Sequence, residues 1–387
     1  MQLTNKYLSN LTSLRGVAAI WVAVFHFQCI VTNFLPKKTS WLIDKGYVMV
    51  DLFFIMSGFI ICHVYKNSFV KGLNGGIFRK FLVARFARVY PLHIITLLIM
   101  VVIVASAHNW DNMMNNPNAI ATNIVLLHSF GIHKVFTWNF LSWSISAEWW
   151  AYMIFPVLVI MIYRRPKIWI PILSVFVLLS YIALMFWLPR QNPWDPSIIV
   201  PHNLDVTYDY GYLRGLAGFI SGMLLYRFYE TGRLINIFEK DLTGIILIAA
   251  LLLALHIGIN DGFYILLFIP LVFAFALNKG KIHALCNTGP VLYMGKISYS
   301  IYLSSIFPFL IFFTNDIKLP GVTYTRPWPG TTDFWVGFGY CLIFLVILTG
   351  LASLTYYTVE RPFRKFINEK FMTHKPDKVV RSVLSLK

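Results

Sequence analysis

The feature that most limits what this chain can become is a succession of apolar runs about as long as a bilayer is thick. A helix crossing the roughly 30 Å hydrocarbon core needs about 20 mostly apolar residues. Ten runs come close to or meet that length: 12–34, 46–65, 86–107, 143–163, 168–188, 210–229, 242–259, 262–278, 297–314 and 334–358. With 58% hydrophobic and 13% charged residues in 387, against roughly 25% charged in an average soluble domain, a soluble enzyme is excluded. The expected fold is an all-α polytopic membrane protein of about ten transmembrane helices, one domain over 1–360 and a basic cytoplasmic tail over 361–387. The seventh and eighth runs are short and separated only by Asn260 and Asp261, so a hairpin or re-entrant pair fits equally. Residues 119–132 are too short to cross and are expected at the interface. The first run contains His26 and lacks a small-residue cleavage site after it, so a retained span is expected rather than a leader.

Charge then sets orientation. There are 33 Lys and Arg against 16 Asp and Glu, a net +17. In a soluble chain this would suggest nucleic acid. Here the cations cluster between apolar runs, at Arg79-Lys80, Arg164-Arg165 and from Arg361 onward. The positive-inside rule places those segments, and both termini, in the cytoplasm; no nucleic-acid partner is expected. Cys29, Cys62, Cys286 and Cys341 show no paired spacing, and His63, His93, His128 and His256 share none that predicts ligation, so no metal is expected.

Ionisable groups inside apolar spans are expensive and mark function by default. Arg15, His26, Asp51, Arg85, Arg88 and Glu148 are the informative ones. Arg15 and His26, eleven residues apart, face the same way on a helix, about 16 Å apart along its axis. Rise per residue puts His26, Asp51 and Glu148 at a similar outer depth, with Arg15, Arg85 and Arg88 at the cytoplasmic edge. Each has a plainer reading: arginines as topological anchors, and His26 with Asp51 and Glu148 as helix–helix contacts. Trp138, Trp143, Trp149 and Trp150 read first as an interfacial aromatic belt and second as a sugar platform, and Ser57-Gly58 first as a close helix contact.

At these residues the chain resembles the acyltransferase-3 family of integral membrane acyltransferases. Leu14-Arg15-Gly16 followed after ten residues by His26-Phe27 is similar to its Arg-x10-His signature. The segment 46–59, GYVMVDLFFIMSGF, resembles its Val-Asp-Leu-Phe-Phe-x-x-Ser-Gly-Phe element. Arg85 to Pro91 resembles its Arg-x-x-Arg-Ile-x-Pro element, and Trp143 to Trp149, with Ser146 and Glu148, its Trp-Ser-x-Ser-x-Glu-Trp motif. Ser221-Gly222, Ser298 to Leu303 with Tyr299, and Glu360-Arg361-Pro362 follow in order. His93 and Ser305 depart from the pattern.

The resemblance implies a multi-pass protein of a bacterial cytoplasmic (inner) membrane that moves an acyl group from cytoplasmic acyl-CoA, acetyl-CoA by default, to a hydroxyl of an extracytoplasmic or lipid-linked saccharide. It implies that Arg15, Arg85 and Arg88 hold the donor's phosphates. His26 would be general base, oriented by Asp51 or Glu148. Direct transfer and an acyl-enzyme on Ser57 both stay open, as does a proton-coupled transporter or flippase using the same buried groups.

Overall fold

In a computed structural model, the structure describes residues 7–107, 115–189, 200, 202–313 and 333–371. Residues 108–114, 190–199, 201, 314–332 and 372–387 lie outside them, so most of the expected basic tail over 361–387 lies outside the described residues. Every element among the described residues is helical.

The helices run in the order α1 Ser9–Ile30, α2 Met49–Phe69, α3 Gly75–Ala107, α4 Asn118–Ile124, α5 Trp143–Arg164, α6 Pro166–Ile182, α7 Gly211–Tyr229, α8 Ile235–Phe238, α9 Asp241–Ile257, α10 Asp261–Leu277, α11 Lys281–Cys286, α12 Gly289–Lys296, α13 Ser298–Ser304, α14 Ile306–Phe313, α15 Phe334–Thr355 and α16 Arg361–Phe371. Single 3₁₀ turns lead into α2 (Asp44–Val48) and α5 (Phe140–Ser142), and π turns follow α6 (Ala183–Trp187) and α15 (Tyr356–Glu360).

Of the ten expected spans, six correspond to helices long and apolar enough to cross a membrane: those over Ser9–Ile30, Asp44–Phe69, Gly75–Ser106, Phe140–Arg164, Pro166–Trp187 and Phe334–Phe371. The two short runs form α9 and α10, each of 17 residues. The expected ninth span is not one helix. It breaks between α13 and α14 at Ser305, whose hydroxyl turns back onto the Tyr302 carbonyl at 2.9 Å. Interrupted backbone at membrane depth is tolerated where it is buried in protein or lines a cavity.

The tightest packing joins α2 to α7. Both helices present small residues to each other, which is how membrane helices gain close van der Waals contact without a hydrophobic drive between them. A methyl group added at Gly58 would sit 1.9 Å from the Phe219 carbonyl oxygen, and one at Gly222 would sit 2.0 Å from that of Ile55. Ser57-Gly58 therefore contributes the close contact expected of it. Because the obstruction is backbone, no rotamer change relieves it. Gly222→Val is expected to lower stability by at least the roughly 1–3 kcal/mol of core overpacking, read as a fall in the detergent unfolding midpoint; an unchanged midpoint would refute this packing. A second close crossing brings Gly16 of α1 onto Gly295 of α12.

Candidate active site

Two cavities occupy the interior between α1, α2, α3, α5 and α13. The first, of about 90 Å³, is lined by Arg15 of α1, Ser57 of α2, Arg85 and Arg88 of α3, Glu148 and Tyr152 of α5, and Tyr299 and Tyr302 of α13. The second, of about 370 Å³, is lined by His26 and Cys29 of α1, Val50 of α2, Trp143 of α5, Arg214 of α7 and Tyr302 of α13, with Asp205 and Thr207 from the segment before α7. The same helix, α1, thus delivers Arg15 to one cavity and His26 to the other, so the two side chains do not share a single cavity. Val50 and Tyr302 line both.

The cationic cavity is built around α3, which begins at Gly75, eleven residues before the apolar run expected from 86; Arg85 lies about 15 Å and Arg88 about 20 Å along the helix axis from that start. Arg85 Nη2 donates to the Tyr65 hydroxyl at 3.1 Å, with the guanidinium 5.2 Å from the Tyr65 ring centroid and 5.9 Å from that of Tyr152. Its Nε is buried and unpartnered among the described residues. Arg88 is ion-paired with Glu360 in the π turn after α15, lies 5.5 Å over the Tyr299 ring, and Ser300 donates to the same carboxylate at 3.0 Å. The Tyr299 hydroxyl donates to the Val89 carbonyl, fixing α13 against α3. Arg15 is half-buried and makes no ion pair among the described residues.

The two carboxylates expected beside His26 are placed elsewhere. Glu148 faces the cationic cavity and accepts from Ser57 Oγ at 2.6 Å and from Tyr152 OH, one helical turn on, at 2.5 Å. Asp51 is fully buried and taken up by Arg214, whose Nε and Nη2 reach its oxygens at 3.1 and 2.7 Å. The other Arg214 donors go to the carbonyls of Tyr47 at 2.9 Å and Val206 at 3.1 Å. Neither carboxylate hydrogen-bonds to His26. Depth had been estimated from axial rise, which carries no information about the direction a side chain takes around its helix.

His26 is half-buried, its ring packed against Phe25 and, edge-on at 5.6 Å between centroids, against Phe140. Its Nδ1 is buried without a hydrogen-bonding partner of good geometry among the described residues. The carboxylate that shares its cavity is that of Asp205, which sequence reading passed over as a loop residue. Its segment is held in place: Leu204 N donates to Asp261 at 2.8 Å, and Gly131 N to the Tyr208 carbonyl at 2.8 Å. Asp261 also accepts from Tyr47 and Lys45.

Trp143 is not in an aromatic belt. It is 6% exposed and lies under the Arg214 guanidinium, 5.2 Å from ring centroid to Cζ; Trp138 is 1% exposed. Ser146 is a structural tie, its hydroxyl donating to the Leu126 carbonyl at 2.5 Å and lying 2.9 Å from Ser129 Oγ. His93 and His128, unrelated by spacing, stack with ring centroids 5.9 Å apart. Among the described residues no group of three or more His, Cys, Asp or Glu could hold a metal ion. Arg214 is the residue that sequence reading missed, although a lone cation in an apolar run is the signal that would have found it.

Helices alone among the described residues, six of them long and apolar enough to cross a membrane, define a multi-pass membrane protein, in which α1 lines both a cationic and an imidazole cavity. The chain belongs to the acyltransferase family, whose acyltransferase domain matches residues 8–352. It is similar to O-acetyltransferase OatA of Staphylococcus aureus (strain MRSA252), 24% identical over 98% of this chain and 61% of that protein. Peptidoglycan O-acetyltransferase OatA of Listeria monocytogenes is 26% identical over 49% of this chain and 31% of its own length. A shorter stretch, 23% of the chain, is 36% identical to "Protein 2 in picA locus" of Rhizobium radiobacter, covering 42% of it. The chain therefore spans about 61% or less of these relatives' lengths. No solved structure matches.

Proposed function

We propose that this protein O-acylates a saccharide, taking an acyl group, acetyl by default, from cytoplasmic acyl-CoA and delivering it to a hydroxyl beyond the bilayer or on a lipid-linked glycan. The observation that carries the reading is that the cationic and histidine cavities meet at Val50 and Tyr302. The names of the matched OatA proteins support acetyl as cargo and a cell-wall glycan as acceptor.

In this reading Arg15, Arg85 and Arg88 hold the anionic end of the donor, the guanidinium fork matching phosphate oxygens. The donor must share or displace Glu360 at Arg88, and Arg85 brings a free buried Nε–H. The acceptor hydroxyl sits in the histidine cavity. His26 removes its proton as the oxygen attacks the thioester carbonyl; the carbon–sulfur bond then breaks, and the thiolate leaves and is reprotonated from the imidazolium. Asp205 supplies the negative charge in that cavity, in place of Asp51 and Glu148. Ser57 lies on the cationic side with its hydroxyl donating to Glu148 at 2.6 Å, a nucleophile–base arrangement that leaves an acyl-Ser57 intermediate as open as direct transfer.

The test follows radiolabelled acetyl from acetyl-CoA into a glycan extract with purified protein. Label in the glycan with release of free coenzyme A supports the reading, and substrate movement without coenzyme A consumption would point to a transporter. Both termini are expected in the cytoplasm, so a reporter fused after Lys387 should be active there; an extracytoplasmic signal would reverse the assignment of donor and acceptor sides.

A further inference from the structure

Val50 and Tyr302 stand between the two cavities, and the two side chains differ in what they can do. Val50 sits in the first turn of α2, is 5% exposed, and as a β-branched residue has a stiff χ1. Tyr302 can swing as a ring about two torsions, and it is latched: its hydroxyl accepts from Ser144 Oγ at 3.0 Å and donates to the Leu141 carbonyl at 2.8 Å. Both latch groups belong to one place, the start of α5. The backbone that carries the ring is itself interrupted three residues later, where Ser305 separates α13 from α14. A short helix ending in a break has less holding its orientation than the interior of a continuous span.

We propose that Val50 and Tyr302 form a partition between successive chambers of one passage, with Tyr302 as its moving part and as the residue that sets which acyl groups pass. The inference rests on the acyl-transfer reading for what crosses the partition, whereas the partition's existence is testable without any transfer. With the ring in place, the reacting thioester reaches the histidine cavity only past Tyr302, so a small acyl group passes more readily than a branched or long one. The latch keeps the chambers apart between turnovers, which protects the membrane's solute barrier at a site where polar side chains line both sides.

Cys29 gives a reporter, since it is exposed at the histidine cavity while Cys62, Cys286 and Cys341 are buried. Full-length protein is placed in vesicles of known sidedness and treated from either face with a charged, membrane-impermeant thiosulfonate, with Cys29→Ala as the blank. Cys29 in the unaltered protein should label from one face only. Tyr302→Phe keeps the ring but loses both hydrogen bonds, each worth about a factor of several, so labelling from the other face should rise about tenfold. Tyr302→Ala should label from both faces at similar rates. Equal labelling from both faces before substitution, or one-sided labelling in a folded Tyr302→Ala protein, would overturn the partition. Should Tyr302→Ala fail to fold, Tyr302→Phe and Val50→Ala carry the same test.

Transfer is then compared between acetyl- and butyryl-CoA. An increased butyryl share in Tyr302→Ala and Val50→Ala supports the selector role, and an unchanged share in proteins whose labelling has become two-sided refutes it. If labelling follows the expected pattern but no protein transfers any acyl group, the partition stands and the acyltransferase reading falls.

Discussion

Replacing His26 by alanine is expected to lower acyl transfer by about 10²–10⁴-fold, the usual contribution of a positioned general base, while leaving the fold intact. His26 makes ring contacts with Phe25 and Phe140 and has no ion pair or hydrogen bond that holds helices together among the described residues. Its removal therefore costs packing on one side of an open cavity and little else. The measurement pairs transferred label with the unfolding midpoint in detergent. His26→Gln, which keeps a hydrogen-bonding group of similar reach but cannot take up a proton near neutral pH, should be as inactive as His26→Ala. A stable variant of either kind with unreduced transfer would remove the imidazole from the chemistry. Asp205→Asn provides the companion result: a smaller loss of kcat is expected if its carboxylate stabilises the imidazolium that forms, and an unchanged pH–rate profile would exclude that role.

The second large effect concerns stability. Arg214 and Asp51 are both 0% exposed and pair through two nitrogens of the guanidinium. Removing one partner leaves a buried charge without compensation, a change that typically costs about 3–5 kcal/mol. Arg214→Ala and Asp51→Ala are each expected to reduce folded yield and the unfolding midpoint severely. Arg214→Lys should rescue poorly, because an ammonium cannot reach Asp51 and the carbonyls of Tyr47 and Val206 in the same fork geometry. The double change Asp51→Leu with Arg214→Met should recover much of the loss, since replacing both members of a buried pair by apolar groups is often close to neutral. The two carbonyls left without donors keep the recovery incomplete. Additive losses in the double variant would show that the two side chains do not act as a pair.

These residues also show how far the sequence could be read. The Arg15–His26 spacing translated directly into structure, because axial separation and facing on one helix follow from the chain's own periodicity. Arg85 and Arg88 were legible as cations, whereas the start of their helix was not, since Arg79 and Lys80 interrupt hydropathy without interrupting the helix that starts at Gly75. Asp51 and Glu148 were recognised, and their helices and depth were legible, but partner choice depends on how α2, α5 and α7 are rotated against one another. That rotation is set by contacts such as Gly58 with Phe219 and Gly222 with Ile55, which no single-helix pattern contains. The break at Ser305 did have a local signal that an apolar-run count passes over: Ser304-Ser305 is followed by Pro308, which has no N–H to donate to the Ser304 carbonyl. Family membership, by contrast, was legible from motif order alone.

The Arg214–Asp51 pair also constrains how the chain is made. Its members are 163 residues apart, an interval that takes about 10–30 s to synthesise at typical translation rates. If the helices insert as they are made, α2 carries a carboxylate whose counter-charge does not exist during that interval. Asp51 is then expected to stay protonated or solvated until α7 docks, and a chain truncated before residue 214 is expected to be degraded faster than the full chain, as a pulse-chase comparison would show.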